Sequence, residues 1–415
     1  MQSISGELEI NNRSGNFLGT GASVVYQHKN LFGHAENFNV TISGQVETQF
    51  GDGLGFINSS DISVETGISI PGFKVPFTKI SENRNYVPRT LTSLNYTRQR
   101  RAQFYTAQGL TAKFGYTWRH SARSIHELYP ININEYRVFN ITSEFQDILN
   151  TDPRLNQAFD NRLISGMQYY YTFNDQSNRG DRRYNYFKLE LESSGNLLSL
   201  FTGANQANPE EIGGLRFAQY VKVTLDYRKY LKIRNADLAT RVIIGIGSAY
   251  GNSEEVPYIK QYIIGGSNSI RAFRIRGIGP GSFFQAPPQA NTLVSQFLDQ
   301  TGDIKFELNA EYRFPVFKFF KSALFVDAGN VWLLDNDDVP EGNFNFSNIF
   351  NELAIGTGIG LRLDFNFFLI RMDIAFPLRA PTQSGFQWLI SDINLFERSW
   401  RQDNLRYNLG IGYPF

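Results

Sequence analysis

The chain has 415 residues, with 40 Lys and Arg against 39 Asp and Glu, so its formal net charge is +1. A nucleic-acid-binding surface needs a basic surplus to neutralise phosphates, and this balance argues against one. Cysteine is absent, which excludes disulfides and thiolate metal sites. The 36 Phe, 21 Tyr and 3 Met fit strands and interfacial aromatic girdles better than a helical core.

The N-terminus begins Met-Gln-Ser-Ile-Ser-Gly and lacks the basic head and apolar core of a signal peptide. No run of ~18 or more apolar residues follows, so the sequence predicts no transmembrane helix. An exported protein needs a leader. We therefore expect the chain to be a mature fragment of a longer protein and Met1 to be non-native.

Apolar and polar residues alternate along most of the chain, which predicts an all-β protein. In residues 303–314 the odd positions are charged or polar and the even positions are apolar. This segment is longer than the ~9–11 residues that cross a bilayer as a tilted strand, and its charged face needs water or ion partners. The pattern predicts about sixteen strands, at 4–11, 17–29, 35–50, 60–71, 87–99, 103–118, 123–135, 161–173, 182–194, 215–231, 237–250, 302–314, 319–329, 352–365, 367–377 and 404–415.

Every backbone polar group in lipid needs a partner, so a sheet of this size must close on itself. We therefore predict that residues 1–415 form one transmembrane antiparallel β-barrel. Short connections near 30–34, 119–122, 232–236 and 315–318 alternate with long ones, as periplasmic turns alternate with extracellular loops. The longest connections are 136–161, 194–214, 251–301, 330–351 and 378–403, and 141–159 is expected to carry a short helix.

The connection 251–301 is the sixth extracellular loop in this scheme. It sets Arg271, Arg274 and Arg276 among Ile and Phe, between glycines at 265–266 and 277–281. A loop this long is usually functional or packed against another part of the protein. The residues alone leave a loop folded on itself outside the barrel equally open.

Two strands next to this loop carry acids that are predicted to face the lumen. Phe325 and Asp327 are two residues apart and share a face, and Glu311 on the preceding strand faces the same side. Arg271 on an in-folded loop can pair with both acids, with Phe325 offering its ring face. The alternative is that the acids pair with cations of neighbouring strands, such as Lys321 or Arg313.

The chain ends in an alternating segment that is predicted to be the last strand. Its apolar positions are Tyr407, Leu409, Ile411, Tyr413 and Phe415. These residues are either a recognition signal for barrel insertion or interfacial aromatics of a lipid-facing strand. The first strand must close against this one, and the residues of this seam are Leu8, Ile10, Gly410 and Gly412. Taken alone, these residues are consistent with an ordinary closure that has a frayed terminal strand.

Residues 265–273, Gly-Gly-Ser-Asn-Ser-Ile-Arg-Ala-Phe, resemble the sixth-loop signature of the BamA/TamA family of outer-membrane assembly factors, also called the bacterial surface antigen family. In that family the loop folds into the lumen and carries a Val-Arg-Gly-Phe/Tyr tetrad. The corresponding residues here are Ile270, Arg271, Ala272 and Phe273, with Ala in the Gly position. A second family motif, Phe-x-Asp-x-Gly, matches Phe325, Asp327 and Gly329. The sequences of both the loop and the C-terminal end are most similar to the TamL-type branch.

The resemblance implies an outer-membrane protein that inserts or translocates proteins or other envelope components by local membrane thinning and seam opening. It implies that the seam between the first and last strands is a lateral gate. It implies no enzymatic activity, no cofactor and no metal. The implied partners are outer-membrane lipid, client proteins, and a periplasmic or inner-membrane partner reached through N-terminal POTRA domains, which residues 1–415 do not include. No Gly-x-Ser-x-Gly, Walker A or His-Glu-x-x-His motif occurs.

Three alternative functions remain from the sequence. The chain can be a passive or plugged porin, a two-partner secretion translocator, or the barrel of a larger fused protein such as a lipase. Large and constant single-channel conductance would favour the porin, an adjacent gene for an exported substrate would favour the translocator, and the full-length gene would reveal a fused domain.

Overall fold

A computed structural model describes residues 2–13, 17–49, 59–75, 86–102, 104–151, 159–176, 183–284, 300–337, 339–365 and 369–415. The strands of this part of the chain are β1 (Gln2–Arg13), β2 (Phe17–Lys29), β3 (Asn37–Gln49), β4 (Ser59–Pro71), β5 (Arg89–Arg101), β6 (Tyr105–Ser121), β7 (Ser124–Phe139), β8 (Arg162–Asn174), β9 (Arg183–Ser194), β10 (Glu211–Ile212), β11 (Leu215–Phe217), β12 (Tyr220–Ile233), β13 (Ala236–Ala249), β14 (Ile304–Phe317), β15 (Phe320–Trp332), β16 (Ala354–Asp364), β17 (Leu369–Thr382), β18 (Gly385–Trp388) and β19 (Arg406–Ile411).

Helices are short and lie in the connections. They are α1 (Ser143–Thr151), α2 (Asn196–Thr202) and α3 (Arg398–Asn404), with 3-10 turns at Tyr258–Lys260, Pro340–Gly342, Phe346–Asn348 and Ile390–Asp392. The helix predicted within 141–159 is therefore confirmed as α1. Among the described residues, no helix is long and apolar enough to cross a membrane.

The all-β prediction is confirmed, and the strand positions agree with the predicted ones to within a few residues at most ends. Within the described ranges sixteen strands have six residues or more, and the three shorter ones, β10, β11 and β18, lie in long connections. Two boundaries were wrong. The predicted strand 215–231 is divided into β11 and β12, and the predicted strand 404–415 ends at Ile411. Gly412 follows with φ +82°, a left-handed conformation that takes the chain out of the extended direction.

The chain divides into two compact units, and each is antiparallel where its long strands pair. The first comprises Met1–Tyr171, Leu191–Val221 and Ala249–Ile259, and in it β1 to β7 pair in sequence order. The second comprises Thr172–Glu190, Lys222–Ser248 and Lys260–Phe415, and in it β13 to β17 pair in order and β19 pairs with β17. That residues 1–415 make one barrel domain stays a prediction.

Strand β15 shows how the two faces of the second unit differ. Leu324 and Val326 are 52% and 46% exposed, whereas the intervening Ala323, Phe325 and Asp327 are buried. A soluble strand buries its aliphatic face, and here the aliphatic face is the exposed one. This polarity is typical of a strand with lipid on one side and a packed polar interior on the other.

The apolar packing of the second unit comes largely from the connection between β13 and β14. Tyr262, Ile264, Ile270 and Ile278 of this connection are buried in one cluster with Val331 at the end of β15 and Ala354 at the start of β16. Burying such side chains against a wall stabilises the fold by about 25 cal/mol for each Å² of apolar surface that is removed from water. The connection is therefore part of the folded core of this unit.

Candidate functional site

The sixth loop, defined here as residues 250–303 between β13 and β14, is anchored to the wall near its base. The main chains of Tyr262 and Gly302 exchange hydrogen bonds at 2.7 and 3.0 Å. The Tyr262 hydroxyl also donates to the carbonyl oxygen of Val223 on β12 at 2.9 Å. Residues 285–299 of the predicted loop lie outside the described part. The two limbs of the loop are therefore paired with each other at its base, and one of them is fastened to β12.

The tetrad sits on a tight turn that the loop closes with its own hydrogen bonds. The Phe273 N–H donates to the Ile270 carbonyl at 3.1 Å, and the Gly266 N–H donates to the Phe273 carbonyl at 2.9 Å. The Ser269 hydroxyl donates to Glu307 Oε2 on β14 at 2.6 Å, which ties the turn to the strand. The turn presents Arg271 to β14 and β15.

Arg271 is buried between the two acids that the sequence placed on one face. Its Nε and Nη2 donate to Asp327 Oδ2 and Oδ1 at 2.8 and 3.0 Å, and its main-chain N–H donates to Oδ2 at 3.1 Å. Its Nη1 donates to Glu311 Oε2 at 2.5 Å. Such charge-assisted, bidentate pairs are the strong hydrogen bonds of proteins and fix orientation as well as distance.

Phe325 supplies the ring face that the alternation predicted. The guanidinium carbon of Arg271 lies 3.4 Å from the centroid of the Phe325 ring. A cation over a desolvated ring face contributes about 2 kcal/mol. Arg271 is therefore held by carboxylates at its edges and by an aromatic surface on one face.

The charge state of Arg271 follows from the same partners. Burial acts to lower the pKa of the guanidinium, but the hydrogen bonds that it donates to Asp327 and the charges of Asp327, Glu311 and Asp373 outweigh burial and raise the pKa above its usual range. Arg271 thus stays charged inside the protein. A buried charge of this kind is stable only while its acidic partners remain in place.

Small residues let the tetrad approach the wall closely. A Cβ on Gly356 of β16 would lie 2.4 Å from the Ala272 Cβ, and a Cβ on Gly329 would lie 2.7 Å from Ile264 Cδ1 of the loop. Ala272 therefore fills, with its single methyl group, the space above a glycine on the wall. Gly329 belongs to the site through loop packing and not through Arg271.

Glu311 is shared among three cations, so both pairings left open by the sequence occur for this acid. Besides Arg271, it accepts from Arg313 Nε at 2.7 Å and from Arg362 Nη2 at 3.2 Å. Lys321, the other proposed strand partner, instead donates to Asp364 at 2.7 Å. The acid thus joins the loop to strands β14 and β16.

The predicted site did not include four polar residues of this interior, which are Asn309, Arg362, Arg371 and Asp373. The amide of Asn309 donates to Asp327 Oδ1 at 3.0 Å, and Arg362 pairs with Asp373. Alternation did place each of them on the polar face of its strand. A search along that face for residues level with Glu311 and Asp327 would have named them.

The terminal strand presents its predicted apolar residues outwards only as far as Ile411. Tyr407, Leu409 and Ile411 are 71%, 72% and 83% exposed. The prediction that the same face continues to Phe415 was wrong, because the strand ends before Gly412 and Phe415 is buried. Arg313 Nη2 donates to the main-chain oxygen of Phe415 at 3.3 Å, and its guanidinium lies 4.1 Å from the Tyr413 ring centroid.

Two residues of the predicted seam, Leu8 and Ile10, belong to the first compact unit, and the other two, Gly410 and Gly412, belong to the second. The main chains of Leu8 and Ile10 pair with Ala22 and Thr20 of β2, and their side chains lie outside what the structure describes. Gly410 pairs with Arg371 of β17, and Gly412 lies beyond the end of β19. The lateral gate stays a prediction.

Acidic and histidine side chains do not gather into a metal-binding group in the described ranges. The polar chemistry of the site is that of fixed ion pairs within the protein.

Comparison with known proteins places these features in a family. Residues 30–415 match the Omp85 superfamily domain. Over 163 residues the chain is 27% identical to the outer membrane protein assembly factor BamA of Neisseria meningitidis serogroup B, covering 35% of this chain and 19% of that protein.

A solved structure shows the same fold. The crystal structure of BamA from Haemophilus ducreyi lacking POTRA domains 1-3 matches with a TM-score of 0.57 and 13% identity, over 99% of this chain and 70% of that one. CdiB from Acinetobacter baumannii matches with a TM-score of 0.49 and 14% identity, over 93% and 59% of the two chains. The chain is an antiparallel β-barrel protein of the bacterial outer membrane, and it belongs to the Omp85 superfamily.

Proposed function

We propose that this protein is an assembly or translocation factor, which inserts or passes proteins or other envelope components through an Omp85-type barrel with a lateral seam. The observation that carries the proposal is Arg271, held by Asp327 and Glu311 on the inner face of the wall. A loop fixed in this way occupies space that a passive channel would leave to water. In this proposal the protein has no enzymatic activity and uses no cofactor.

The dimensions of the terminal strand support a mechanism based on membrane thinning. Strand β19 has six residues, whereas its neighbour β17 has fourteen. At about 3.4 Å per residue a strand of six spans roughly 20 Å, less than the ~25 Å apolar band of outer-membrane barrels. A short strand favours a thinner bilayer beside it, which lowers the barrier to inserting a client there.

The proposal assigns client recruitment to parts of the protein outside residues 1–415. The aligned region is 19% of the Neisseria protein, and the Haemophilus structure is of a BamA lacking its POTRA domains 1-3. We propose that comparable periplasmic domains deliver clients and contact a periplasmic or inner-membrane partner. Membership of the TamL-type branch stays a prediction, which rests on the amino-acid sequences of the sixth loop and of the C-terminal end.

Controlled depletion of the full-length protein in its native host tests this function. The abundance of outer-membrane β-barrel proteins and surface-exported proteins is measured by quantitative proteomics of the outer membrane. The expected result is a loss of a subset of these proteins before any loss of envelope integrity, restored by the wild-type gene and not by Arg271→Ala. Arg274→Ala, which removes an exposed arginine of the same loop, is the matched control.

Other outcomes identify the alternatives. Slower uptake of small solutes with an unchanged outer-membrane proteome would overturn the proposal in favour of a porin. Loss of a single secreted protein, with β-barrel proteins unaffected, would indicate a two-partner translocator. Loss of hydrolysis of lipid esters alone would indicate a fused lipase.

A further inference from the structure

The terminal strand β19 contacts the sixth loop directly, through a side chain that belongs to neither of the two motifs. The side-chain amide of Asn408 on β19 donates to the main-chain oxygen of Arg271 at 3.0 Å. The acceptor therefore belongs to the same residue that Asp327 and Glu311 hold. Any movement of Arg271 away from Asp327 therefore also removes the partner of Asn408.

A second connection runs through Arg371 on β17. Its guanidinium is buried and donates to the side-chain oxygen of Asn268, three residues before Arg271 in the loop. Its Nε and Nη1 have no hydrogen-bond partner within the described residues. Because a buried guanidinium is costly without acceptors, this contact ties the position of Arg371 to that of the loop.

Arg371 also covers the terminal strand. It pairs with Gly410 across the β17–β19 ladder, and a Cβ on Gly410 would lie 2.6 Å from Arg371 Nε. The arginine is thus in contact with the loop through Asn268 and with β19 through the bare backbone of Gly410. A glycine at this position lets the side chain lie flat on the strand.

These side-chain contacts act on a strand with few backbone pairs. The ladder between β17 and β19 joins six residue pairs, from Ile370↔Ile411 to Ala375↔Arg406, whereas that between β15 and β16 joins ten. Fewer backbone hydrogen bonds make local opening of β19 easier than opening of a longer ladder. The contacts to the loop therefore contribute a larger share of the free energy that keeps β19 paired than they would for a longer strand.

We propose that Asn408 and Arg371 are positioning residues that couple the docking of loop residues 268–271 to the pairing of β19. In a barrel that opens beside its terminal strand, the docked loop then keeps β19 in place, and its withdrawal releases the strand. The functional meaning of this coupling rests on the proposed assembly function, but the coupling itself is a property of the folded protein.

Hydrogen–deuterium exchange of the full-length protein in lipid nanodiscs measures the coupling without any client. Asn408→Ala is expected to raise amide exchange in 406–411 about three- to ten-fold, the effect of one lost hydrogen bond, and to leave β15 unchanged. Arg271→Ala should raise exchange in both the loop and 406–411. In the double variant the effects on 406–411 should be less than multiplicative, because both changes remove the same contact.

Asn268→Ala is the variant that does not alter any strand. Asn268 is exposed in the loop, so its loss should not impair folding, yet exchange in 406–411 is still expected to rise. Arg274→Ala in the loop and Asn134→Ala in β7 are the controls, and both should leave 406–411 unchanged. Unchanged exchange in 406–411 after both Asn268→Ala and Arg271→Ala would overturn the coupling.

The outcomes separate this inference from the proposed function. Coupled exchange together with an unaltered outer-membrane proteome on depletion would refute the assembly function and keep the coupling. Loss of outer-membrane proteins on depletion, together with uncoupled exchange, would refute the coupling and keep the assembly function.

Discussion

The guanidinium of Arg271 and the carboxylate of Asp327 form a two-pronged pair, with Nε to Oδ2 at 2.8 Å and Nη2 to Oδ1 at 3.0 Å. The residues are 56 positions apart, and one is in a loop while the other is in strand β15. Because the pair is buried, removing either partner leaves an uncompensated charge in the interior.

Arg271→Ala should release the sixth loop. Breaking a buried ion pair by removing one partner costs about 3–5 kcal/mol. We expect a lower denaturation midpoint, less assembled barrel in the membrane and new protease cleavage within 251–301, measured by limited proteolysis with mass spectrometry. Arg274→Ala should behave as wild type. An Arg271→Ala protein that does so in all three measurements would contradict the conclusion that Asp327 and Glu311 hold the loop through Arg271.

Replacing Phe325 separates its ring from its volume. Phe325→Leu keeps most of the packing but loses the ring face above Arg271, an expected cost of about 0.5–2 kcal/mol. Phe325→Ala also opens a cavity, for an expected total of about 3–5 kcal/mol. Denaturant titration followed by tryptophan fluorescence measures both, and equal stability of the Leu variant and the wild type would show that the ring contact contributes nothing.

Gly356 and Ala272 should behave as a matched pair. Gly356→Ala brings two Cβ atoms to 2.4 Å and should expel the tetrad from the wall, which makes the loop sensitive to protease. Adding Ala272→Gly should restore protection, because it removes the methyl group that clashes. Gly44→Ala, where a new Cβ meets open space, is the control. Failure of the second change to rescue the first would mean that the clash lies elsewhere.

Leu324→Arg tests which face of β15 meets lipid. A charge at the bilayer midplane costs about 2–4 kcal/mol in a barrel strand. We expect a marked loss of folding into liposomes, measured by the heat-dependent shift of the folded band on gels. Leu334→Arg, at an exposed position in the loop after β15, should fold normally. Normal folding of Leu324→Arg would place that face against protein or water instead.

The positions of the strands could be predicted because alternation is a local property. One residue in two faces each side, so Asp327 and Phe325 share a face with Ala323 whatever the rest of the chain does. The same rule put Glu311 on the polar face of β14, which is the face that the loop contacts. The end of β19 could not be predicted from alternation. Gly412 continues the alternating pattern in the sequence, but its left-handed backbone ends the strand.

The partners of Glu311 could not be predicted in the same way. Alternation allows Arg313 on β14 and Arg362 on β16 to face it, but only the path of the loop brings Arg271 within reach. The same holds for Asn408, which meets Arg271 across 137 residues of sequence. Contacts of this range depend on the register of every ladder between the two residues, which no local pattern records.

By itself, the sequence determined the fold class, the strand positions and the face that each side chain takes, since these follow from a two-residue period and from the need to pair every backbone group in lipid. The tertiary structure alone decided that the acids of β14 and β15 close on Arg271, that Phe415 turns inwards, and that β19 is joined to the loop through Asn408. Those outcomes depend on distances across the interior, which are set by how the loop and the strands pack together.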